Sequence, residues 1–547
     1  MGRTALRVAL ALLALVALAV AVDGLQRRLA NPDEGRYSEI SREMALSGDW
    51  VTPRLDGIKY FEKPPLQYWA TAAAFEAFGQ SAWSARLWTA LTGFLGVLFT
   101  AFAAARLFGA EAGRAAGLIL GGCLMWVFMG HASSLDMGVS FFLSLAVGAF
   151  ALAQRSGAPP GSRQRWMLFG WAACALAMLS KGLIGVVLPA GAVAVYVLWQ
   201  RDWRLLARLE LGAGLALFLV IAAPWFILVS LKNHEFARFF FIHEHFERFL
   251  NKGHGRYQPW WYFLPLLALG LVPWTLALPG ALASAARRRP LLAFNPQRFL
   301  LAWSVLVFVF FSVSDSKLFG YILPIFPALA MLLGDWLPRI GTRALAWLCA
   351  TAALGGAALA ALTPLATQRL SGNLPPELVA GFARWMTVAA VAIVAAGVIA
   401  TVSAMRIRKG AAIAWLAIGG LAFTQLLLVG YQSLAPVYSS RQLVQGIQPA
   451  LEAAKRVYFV ELFDHSFLFY SKRTAIMVGD KDELDTSLTW EPGRNYLPTV
   501  EAFSRAWRRD GSAVALMSPN EYEKLRQAGL PMRFLARDPR RVAVATP

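Results

Sequence analysis

The sequence predicts a multi-pass helical membrane protein that ends in a small α/β domain outside the bilayer. Hydrophobic residues make up 57% of its 547 residues and charged residues only 15%, whereas soluble proteins carry about a quarter charged residues. Apolar runs of roughly 18 residues or more, long enough to cross a ~30 Å hydrocarbon core, recur along the chain. After Tyr431 the apolar runs shorten to strand length and alternate with helical patterns.

Hydropathy and the distribution of arginine predict about thirteen transmembrane helices. With Arg3 and Arg7 on the cytoplasmic side, every short loop predicted inside is rich in arginine. The odd number of spans then places the C-terminus outside, and the first span is interpreted as a retained signal anchor. The predicted spans are Ala5–Leu25, Ala82–Leu107, Ala112–Met129, Asp136–Leu152, Met167–Ser180, Leu183–Trp199, Leu206–Val229, Trp260–Leu282, Phe299–Ser312, Gly320–Leu337, Ala344–Leu362, Phe382–Ala404 and Ala412–Val429.

Two domains are predicted. Residues 1–430 form a transmembrane catalytic domain with outside loops at 27–81 and 231–259, and residues 431–547 form the outside α/β domain. In the first loop, Ser38–Leu46 and Leu66–Phe78 are expected to be interfacial helices. Because the tail contains no glycine-rich phosphate loop and no metal-ligand set, we expect it to be structural or to cap the substrate.

The tail pattern predicts five strands and three helices. The strands are expected at Lys455–Glu461, Thr474–Gly479, Ala513–Met517, Met532–Ala536 and Val542–Ala545, and the helices at Leu468–Lys472, Thr499–Arg508 and Asn520–Ala528.

The net charge of +20 does not indicate a nucleic-acid partner. The arginines lie mainly in short gaps between apolar runs, which is the positive-inside pattern, and they form no basic stripe with interleaved aromatics. Cys123, Cys174 and Cys349 lie inside apolar runs without metal-ligand spacing, so redox chemistry is not indicated.

Three acidic residues are the catalytic candidates. Asp33 and Glu34 follow directly after the first span, and Asp136 lies at the outer end of another. Charges at the mouth of a membrane span are costly, which indicates a function. The competing explanation for each is ordinary stabilisation of a helix N-terminus.

The second loop element, Tyr60-Phe61-Glu62-Lys63-Pro64-Pro65, offers a fixed cation to an anionic lipid headgroup. A guanidinium suits bidentate phosphate binding, and tyrosine hydroxyls can donate to the same group. The predicted phosphate-binding residues are Lys63, Arg248, Arg36, Tyr37, Tyr60 and Tyr321.

No cofactor is required, and a divalent ion is an optional addition. Glu62 and His243 are its candidate ligands. His243 and His245 are two residues apart and do not share a helix face, so the pair alone makes a weak metal site.

These motifs together resemble the GT-C glycosyltransferases, and among them the bacterial aminoarabinose transferases that modify lipid A, which are related to protein O-mannosyltransferases. The resemblance is carried by Asp33-Glu34, Glu62-Lys63-Pro64-Pro65, Asp136 and Ser316–Pro324. The chain departs from the family pattern at Phe319-Gly320, where a pair such as Pro-Thr is usual.

The resemblance implies an inverting transfer of 4-amino-4-deoxy-L-arabinose from undecaprenyl phosphate to lipid A phosphates, giving resistance to polymyxin and cationic peptides. It places the reaction at the periplasmic face of the bacterial inner membrane. It also places Asp33 at the catalytic centre and Lys63 at the carrier phosphate. The expected partners are the lipid-linked sugar, lipid A and membrane lipids, and the default oligomeric state is a monomer.

Two alternatives stay open. An enzyme similar to protein O-mannosyltransferases would use a hydroxyl acceptor, with Asp33 as base. A lipid transporter or flippase would also have many spans, but the sequence shows no convincing internal repeat and no charges repeated at mid-bilayer depth.

Overall fold

The computed structural model describes residues 27–247, 257–287, 294–370, 372 and 374–547. The first predicted span, Ala5–Leu25, and Arg248 lie outside these ranges. The chain divides into two compact units. We call residues 88–365 and 384–428 the helical unit, and residues 27–87, 366–383 and 429–547 the α/β unit. The first loop that was predicted to lie outside, residues 27–81, therefore clusters with the tail. The division at residues 430 and 431 stays a prediction.

Within the described ranges, eight helices are long and apolar enough to cross a membrane. They are Ala82–Phe108, Leu135–Gln154, Leu211–Lys232, Pro296–Val313, Phe319–Arg339, Thr342–Arg369, Pro376–Met405 and Lys409–Tyr438. Two bent pairs bring the number to ten if each pair is one span: Ala110–Gly121 with Leu124–Gly130, at 63°, and Phe263–Gly270 with Thr275–Ala286, at 108°. The predicted helical membrane fold is confirmed at this level. The number thirteen is not.

The predicted spans Met167–Ser180 and Leu183–Trp199 correspond to helices Pro160–Lys181 and Ile184–Gln200, which are not among these ten. The helical unit is built around Leu135–Gln154, which is buried along almost its whole length. Its Phe150 ring lies 4.7 Å from the ring of Phe299 on a neighbouring helix. Shorter helical segments of this unit are Trp203–Arg208 and Arg238–Glu247, and the Phe319–Arg339 span begins with the 3₁₀ segment Phe319–Ile325.

In the α/β unit, residues 27–81 form helices Asp33–Ser47 and Leu66–Phe78. The second has the predicted bounds. The first begins five residues earlier than predicted, because Asp33 and Glu34 occupy its first turn, where acids favour a helix. Between these helices, strands β1 (Arg54–Leu55) and β2 (Ile58–Lys59) form an antiparallel hairpin. Its turn residues, Asp56 and Gly57, both have positive φ, as an Asp-Gly hairpin requires.

The tail forms a six-stranded mixed sheet in the order β5-β4-β3-β6-β8-β7. β3 pairs in parallel with β4 and β6, and β8 pairs antiparallel with β6 and β7. The strands are β3 (Arg456–Val460), β4 (Ile476–Val478), β5 (Tyr496–Leu497), β6 (Ala513–Met517), β7 (Arg533–Arg537) and β8 (Val542–Ala545). The predicted α/β tail is confirmed, and β5 is the strand that the sequence pattern missed.

Helices pack on this sheet and enclose a core around Tyr458, Phe503 and Trp507. The longer ones are Val500–Arg509 and Pro519–Gln527, which lie within a residue of their predicted bounds. The shorter ones are Ala435–Tyr438, Arg441–Gly446, Gln448–Ala453, His465–Ser471, Asp482–Leu484 and Asp485–Trp490.

Candidate active site

The two acids in the first turn of helix Asp33–Ser47 have different surroundings. The Asp33 side chain is 46% exposed, and its carboxylate lies 3.4 Å from Nη1 of Arg36. The Glu34 side chain is buried and accepts hydrogen bonds from Arg86 at 2.7 and 2.8 Å. Arg27 adds a third contact to Glu34 at 3.2 Å. Asp33 is thus the acid that solvent can reach. Glu34 instead links Arg27, before its own helix, to Arg86 near the start of helix Ala82–Phe108.

Gly35 lets this helix touch the tail. A Cβ atom on Gly35 would lie only 2.5 Å from the backbone nitrogen of Ser466. The same nitrogen donates to the Asn31 side chain at 2.7 Å. The two backbones therefore approach more closely than any residue with a side chain at position 35 would allow. This approach brings His465 to Arg36, with 3.5 Å between the imidazole Nε2 and the guanidinium Nε.

Arg36 is the centre of the cluster that results. Its Nε lies 2.5 Å from Oε1 of Glu483, which the tail supplies. His465 Nε2 is 3.4 Å from Asp482 and 3.8 Å from Glu483. Burial and the nearby Arg36 charge lower the pKa of His465 to about 4. The imidazole is therefore neutral near pH 7 and accepts from Arg36.

The Glu483 carboxyl is buried, and its pKa is raised to about 8 mainly for that reason. Burial and the neighbouring Glu62 raise its pKa, and Arg36 and Lys63 only partly offset this effect. Asp33 also acts on this carboxyl. The pKa of Glu483 thus depends on charges from both predicted parts of the first loop, Asp33 in one and Glu62-Lys63 in the other.

Three buried tyrosines line the same cluster. Tyr60 donates to Glu62 at 3.4 Å, and the rings of Tyr37 and Tyr68 are 6.1 Å apart. Burial raises the pKa of all three, so their hydroxyls stay neutral donors. The Tyr68 hydroxyl is fully buried and has no hydrogen-bond partner within the part of the chain that the structure describes.

Lys63 lies at the edge of this group. Its Nζ donates to the backbone oxygen of Glu62 at 2.9 Å and lies 3.8 Å from the Glu62 carboxylate. The Lys63 side chain is 20% exposed, so its ammonium is less buried than Arg36. The prolines that follow begin the Leu66–Phe78 helix, with Pro65 at its N-cap. Their restricted backbone holds the lysine just before a fixed helix.

The helical unit contains a second polar cluster. Asp136, in the first turn of Leu135–Gln154, forms an ion pair with Lys181 at the end of Pro160–Lys181. The Lys181 ammonium also lies 4.7 Å from the centre of the Tyr321 ring, a cation–π distance. A Cβ atom on Gly320 would lie 2.5 Å from Oδ2 of Asp136. The glycine at the position where the chain departs from the family pattern thus gives Asp136 room.

The metal prediction gains no support from clustering. Within the ranges that the structure describes, no group of three or more His, Cys, Asp or Glu side chains is placed so that it could hold a metal ion. Glu62 lies in the Arg36 cluster of the α/β unit, and His243 belongs to the helical unit, where its ring stacks on Phe239 at 5.2 Å. The assignment of these two residues stays a prediction, as does the phosphate role of Arg248.

The sequence analysis missed Tyr68, His465, Asp482 and Glu483. The one local signal is the acidic run Asp480-Lys481-Asp482-Glu483, which follows β4 after Gly479. Acidic runs in loops are usually solvated, so this run by itself does not predict a buried cluster.

Comparison with known proteins gives two family matches that together cover most of the chain. Residues 443–546 match the aminoarabinose transferase C-terminal domain. Residues 5–279 match the dolichyl-phosphate-mannose-protein mannosyltransferase family.

Two relatives share the name undecaprenyl phosphate-α-4-amino-4-deoxy-L-arabinose arabinosyl transferase. The protein from Aeromonas salmonicida is 38% identical over 311 residues, 56% of each chain. The protein from Pseudomonas aeruginosa PAO1 is 36% identical over 304 residues, 55% of this chain and 54% of the relative. The chain therefore spans about half the length of these curated relatives.

Solved structures extend the similarity to nearly the whole chain. ArnT from Cupriavidus metallidurans bound to undecaprenyl phosphate superposes with a TM-score of 0.93 and 37% identity, over 98% of this chain and 97% of that one. The archaeal oligosaccharyltransferase AglB from Archaeoglobus fulgidus shares the fold alone, with a TM-score of 0.52 and 12% identity over 93% of this chain and 69% of that one. The chain belongs to the ArnT family of aminoarabinose transferases, which are GT-C glycosyltransferases.

Proposed function

We propose that this chain is an inverting glycosyltransferase that moves 4-amino-4-deoxy-L-arabinose from undecaprenyl phosphate to phosphate groups of lipid A. The observation that carries the proposal is the near full-length similarity to ArnT bound to undecaprenyl phosphate. The names of the relatives supply the sugar and its carrier. The lipid A acceptor follows from the family resemblance, as does the consequence of resistance to cationic peptides.

The proposed setting is the bacterial inner membrane, with a monomeric enzyme whose site faces the periplasm. Eight apolar spans in the described residues, or ten if each bent pair is one span, support a multi-pass protein. Adding the first predicted span and the helices Pro160–Lys181 and Ile184–Gln200 gives thirteen. The arginine-rich short loops then stay on the cytoplasmic side.

In the proposed reaction, a lipid A phosphate oxygen bonds to the anomeric carbon as the bond from that carbon to the carrier phosphate breaks. Undecaprenyl phosphate leaves with the bonding electrons, and the configuration at the anomeric carbon inverts. Because the attacking phosphate is already anionic near neutral pH, no strong base is needed. Charge compensation at the departing phosphate is the larger requirement, and Lys63 and Arg248 are the proposed cations.

Asp33 is the proposed catalytic carboxylate. It is the more exposed acid of the pair at the helix start, and Arg36 lies 3.4 Å away to hold it in place. It would orient the sugar or stabilise positive charge at the anomeric carbon. Asp136 is the second proposed acid, with Lys181 as its counter-ion. The contacts of Glu34 support a positioning role, since Arg86 and Arg27 occupy its carboxylate.

The test uses purified full-length protein in proteoliposomes with radiolabelled undecaprenyl phosphate aminoarabinose and lipid A. Labelled lipid A with the added mass of one aminoarabinose is the expected product. Label that crosses the bilayer while still on its carrier would instead identify a flippase and overturn the proposal.

A second candidate is transfer to a protein hydroxyl, which the match of residues 5–279 to the mannosyltransferase family favours. The same assay distinguishes it when a serine- and threonine-rich peptide replaces lipid A. Labelled peptide without labelled lipid A would support this candidate.

A further inference from the structure

Two short turns between membrane-spanning helices lie together at one end of the helical unit. The first turn is residues 340–341, and the second is residues 406–408. Lys409, which begins the span after the second turn, donates from Nζ to the backbone oxygens of Pro338 and Ile340, at 3.0 and 2.6 Å. This side chain therefore fixes the second turn against the first.

The spans beside these turns bring Arg343 to the same place. Thr342–Arg369 and Pro376–Met405 are consecutive spans, so they run in opposite directions. They pack closely, because a Cβ atom on Gly397 would lie 2.9 Å from the backbone nitrogen of Ala353. Arg343 lies ten residues from this contact, and the second turn begins nine residues from it towards the same end. Arg343 is therefore level with the second turn.

The second turn holds an apolar residue in a strained and exposed position. The Pro376–Met405 helix ends in a Schellman motif, in which the amide of Arg408 donates to Ser403 at 2.9 Å and that of Ile407 donates to Ala404 at 3.0 Å. The φ angle of Ile407 is 60°, a conformation that suits glycine and is rare for a β-branched residue. The Ile407 side chain is 78% exposed, so packing within the described structure does not account for an isoleucine there.

Apolar and basic side chains share the resulting surface. We call it the arginine patch, and its six residues are Arg343, Trp347, Met405, Arg406, Ile407 and Arg408. Its three apolar side chains are between 71% and 78% exposed. Its three arginines are exposed as well, and none of them forms an ion pair with a residue in the described ranges. Asp335, near this end, pairs with Arg339 instead.

The surface fits the headgroup layer of a membrane better than it fits a protein. The turns are two and three residues long and directly join spans, so they stay within the headgroup layer, which adds only about 5–8 Å on each side of the hydrocarbon core. Tryptophan is enriched at this boundary, and guanidinium groups bind phosphate bidentately. Arginines that only oriented the chain in the membrane would need neither the exposed isoleucine nor the hydrogen bonds of Lys409.

We propose that the arginine patch binds the phosphate of an anionic phospholipid of the phosphatidylglycerol class, with Ile407 and Trp347 inserted beside its glycerol and upper acyl chains. The lipid belongs to the leaflet at this end of the spans. Arg343, Arg406 and Arg408 supply charge-assisted hydrogen bonds to the phosphate. The strain at Ile407 is then offset by the apolar contact that the bound lipid provides. The inference goes beyond the transfer reaction and depends on neither its donor nor its acceptor.

The test measures dissociation constants by native mass spectrometry of the full-length protein in detergent. The added probes are phosphatidylglycerol, phosphatidylcholine and inorganic phosphate. We expect the wild type to bind phosphatidylglycerol more tightly than the other two. Arg406→Gln and Arg408→Gln should each weaken that binding about fivefold, the contribution of one basic residue beside an anionic membrane surface, and the double variant about 25-fold. Binding of phosphatidylcholine should change little.

Arg165→Gln is the matched control. Arg165 is an exposed arginine in another group predicted on the same side of the membrane, and its Nε donates to the backbone oxygen of Gly161 at 3.2 Å. Its replacement removes the same charge and should leave the affinity for phosphatidylglycerol unchanged.

Ile407→Gly tests the apolar contact in a protein that should fold, because glycine adopts the positive φ without strain. Its thermal midpoint in detergent without phosphatidylglycerol should equal or exceed that of the wild type. Its affinity for phosphatidylglycerol should fall. An unchanged affinity would overturn the insertion of Ile407.

Equal affinities of the wild type for phosphatidylglycerol and phosphatidylcholine would overturn the inference and leave a protein as the occupant of the patch. Equal losses in Arg165→Gln and Arg406→Gln would also overturn it, because only general surface charge would then attract the lipid. Inorganic phosphate that bound as tightly as phosphatidylglycerol would overturn the lipid assignment. Transfer of sugar is not measured here, so a failure of the proposed function would be a separate result.

Discussion

Arg36 of the first loop, residues 27–81, and Glu483 of the tail form a buried ion pair, with 2.5 Å between Nε and Oε1. The pair adjoins Asp33, the most exposed carboxylate of the cluster, so the tail contributes directly to the surroundings of the proposed catalytic acid.

Replacement of Lys63 should abolish most of the transfer. We expect Lys63→Ala to lower kcat about 10²- to 10³-fold, as removal of a single preorganised donor does in other enzymes. Lys455→Ala is the control, since Lys455 is an exposed tail lysine outside the cluster. Lys63→Ala enzyme with wild-type turnover and carrier affinity would remove the phosphate-binding assignment.

Replacement of Glu34 should lower the stability of the fold more than it impairs the transfer reaction itself. Its carboxylate is buried between Arg86 and Arg27. Glu34→Ala leaves Arg86 without its buried counter-ion, which costs on the order of 3–5 kcal/mol. We expect a clear fall in the thermal midpoint measured by tryptophan fluorescence, whereas Asp33→Asn should keep the midpoint and lose transfer. A stable but inactive Glu34→Ala protein would instead support the catalytic role predicted from the sequence.

Gly35→Ala tests the contact between loop and tail. The added methyl group would meet the backbone nitrogen of Ser466 at 2.5 Å, and a backbone atom cannot rotate away. The helix must shift, at a cost of about 1–3 kcal/mol, and His465 should move away from Arg36. Gly446→Ala, at a position with nothing within 4 Å, is the control. Equal thermal midpoints for the two variants would show that the approach is looser than described.

The fold could be predicted because its signals are local. The bounds of Leu66–Phe78, Ala513–Met517 and Val542–Ala545 follow from nearby prolines, glycines and polar residues, and the structure has the same bounds. Asp33 and Lys63 were found because charge beside a span is costly. No local sequence pattern marks His465 and Glu483, because their position beside Arg36 depends on the close contact between Gly35 and Ser466.

His465 should make the tail sensitive to acid. The folded protein holds its pKa at about 4, below the ordinary 6.5, through burial and Arg36. The stabilisation is therefore complete above pH 6.5 and is lost as the pH falls towards 4, by roughly 3 kcal/mol. The charged groups around the imidazole are Arg36, Asp482, Asp464, Asp33 and Glu483.

The measurement compares the thermal midpoints of wild type and His465→Gln between pH 7 and pH 4. Glutamine can accept from Arg36 without protonation, so its variant should lose less stability over this range. His234→Gln, at an exposed position, is the control and should follow the wild type. Parallel curves for wild type and His465→Gln would show that another group causes the acid sensitivity.

A double-mutant cycle should separate structure from chemistry at Asp136 and Lys181. The two side chains form an ion pair and are 16% and 14% exposed. Lys181→Met leaves the Asp136 charge without this partner, so we expect a lower thermal midpoint. Adding Asp136→Asn removes that charge and should recover most of the midpoint. Transfer should stay lost in the double variant if Asp136 acts in the reaction, because the restored stability brings back no carboxylate. A double variant that regains both stability and transfer would assign the pair to structure alone.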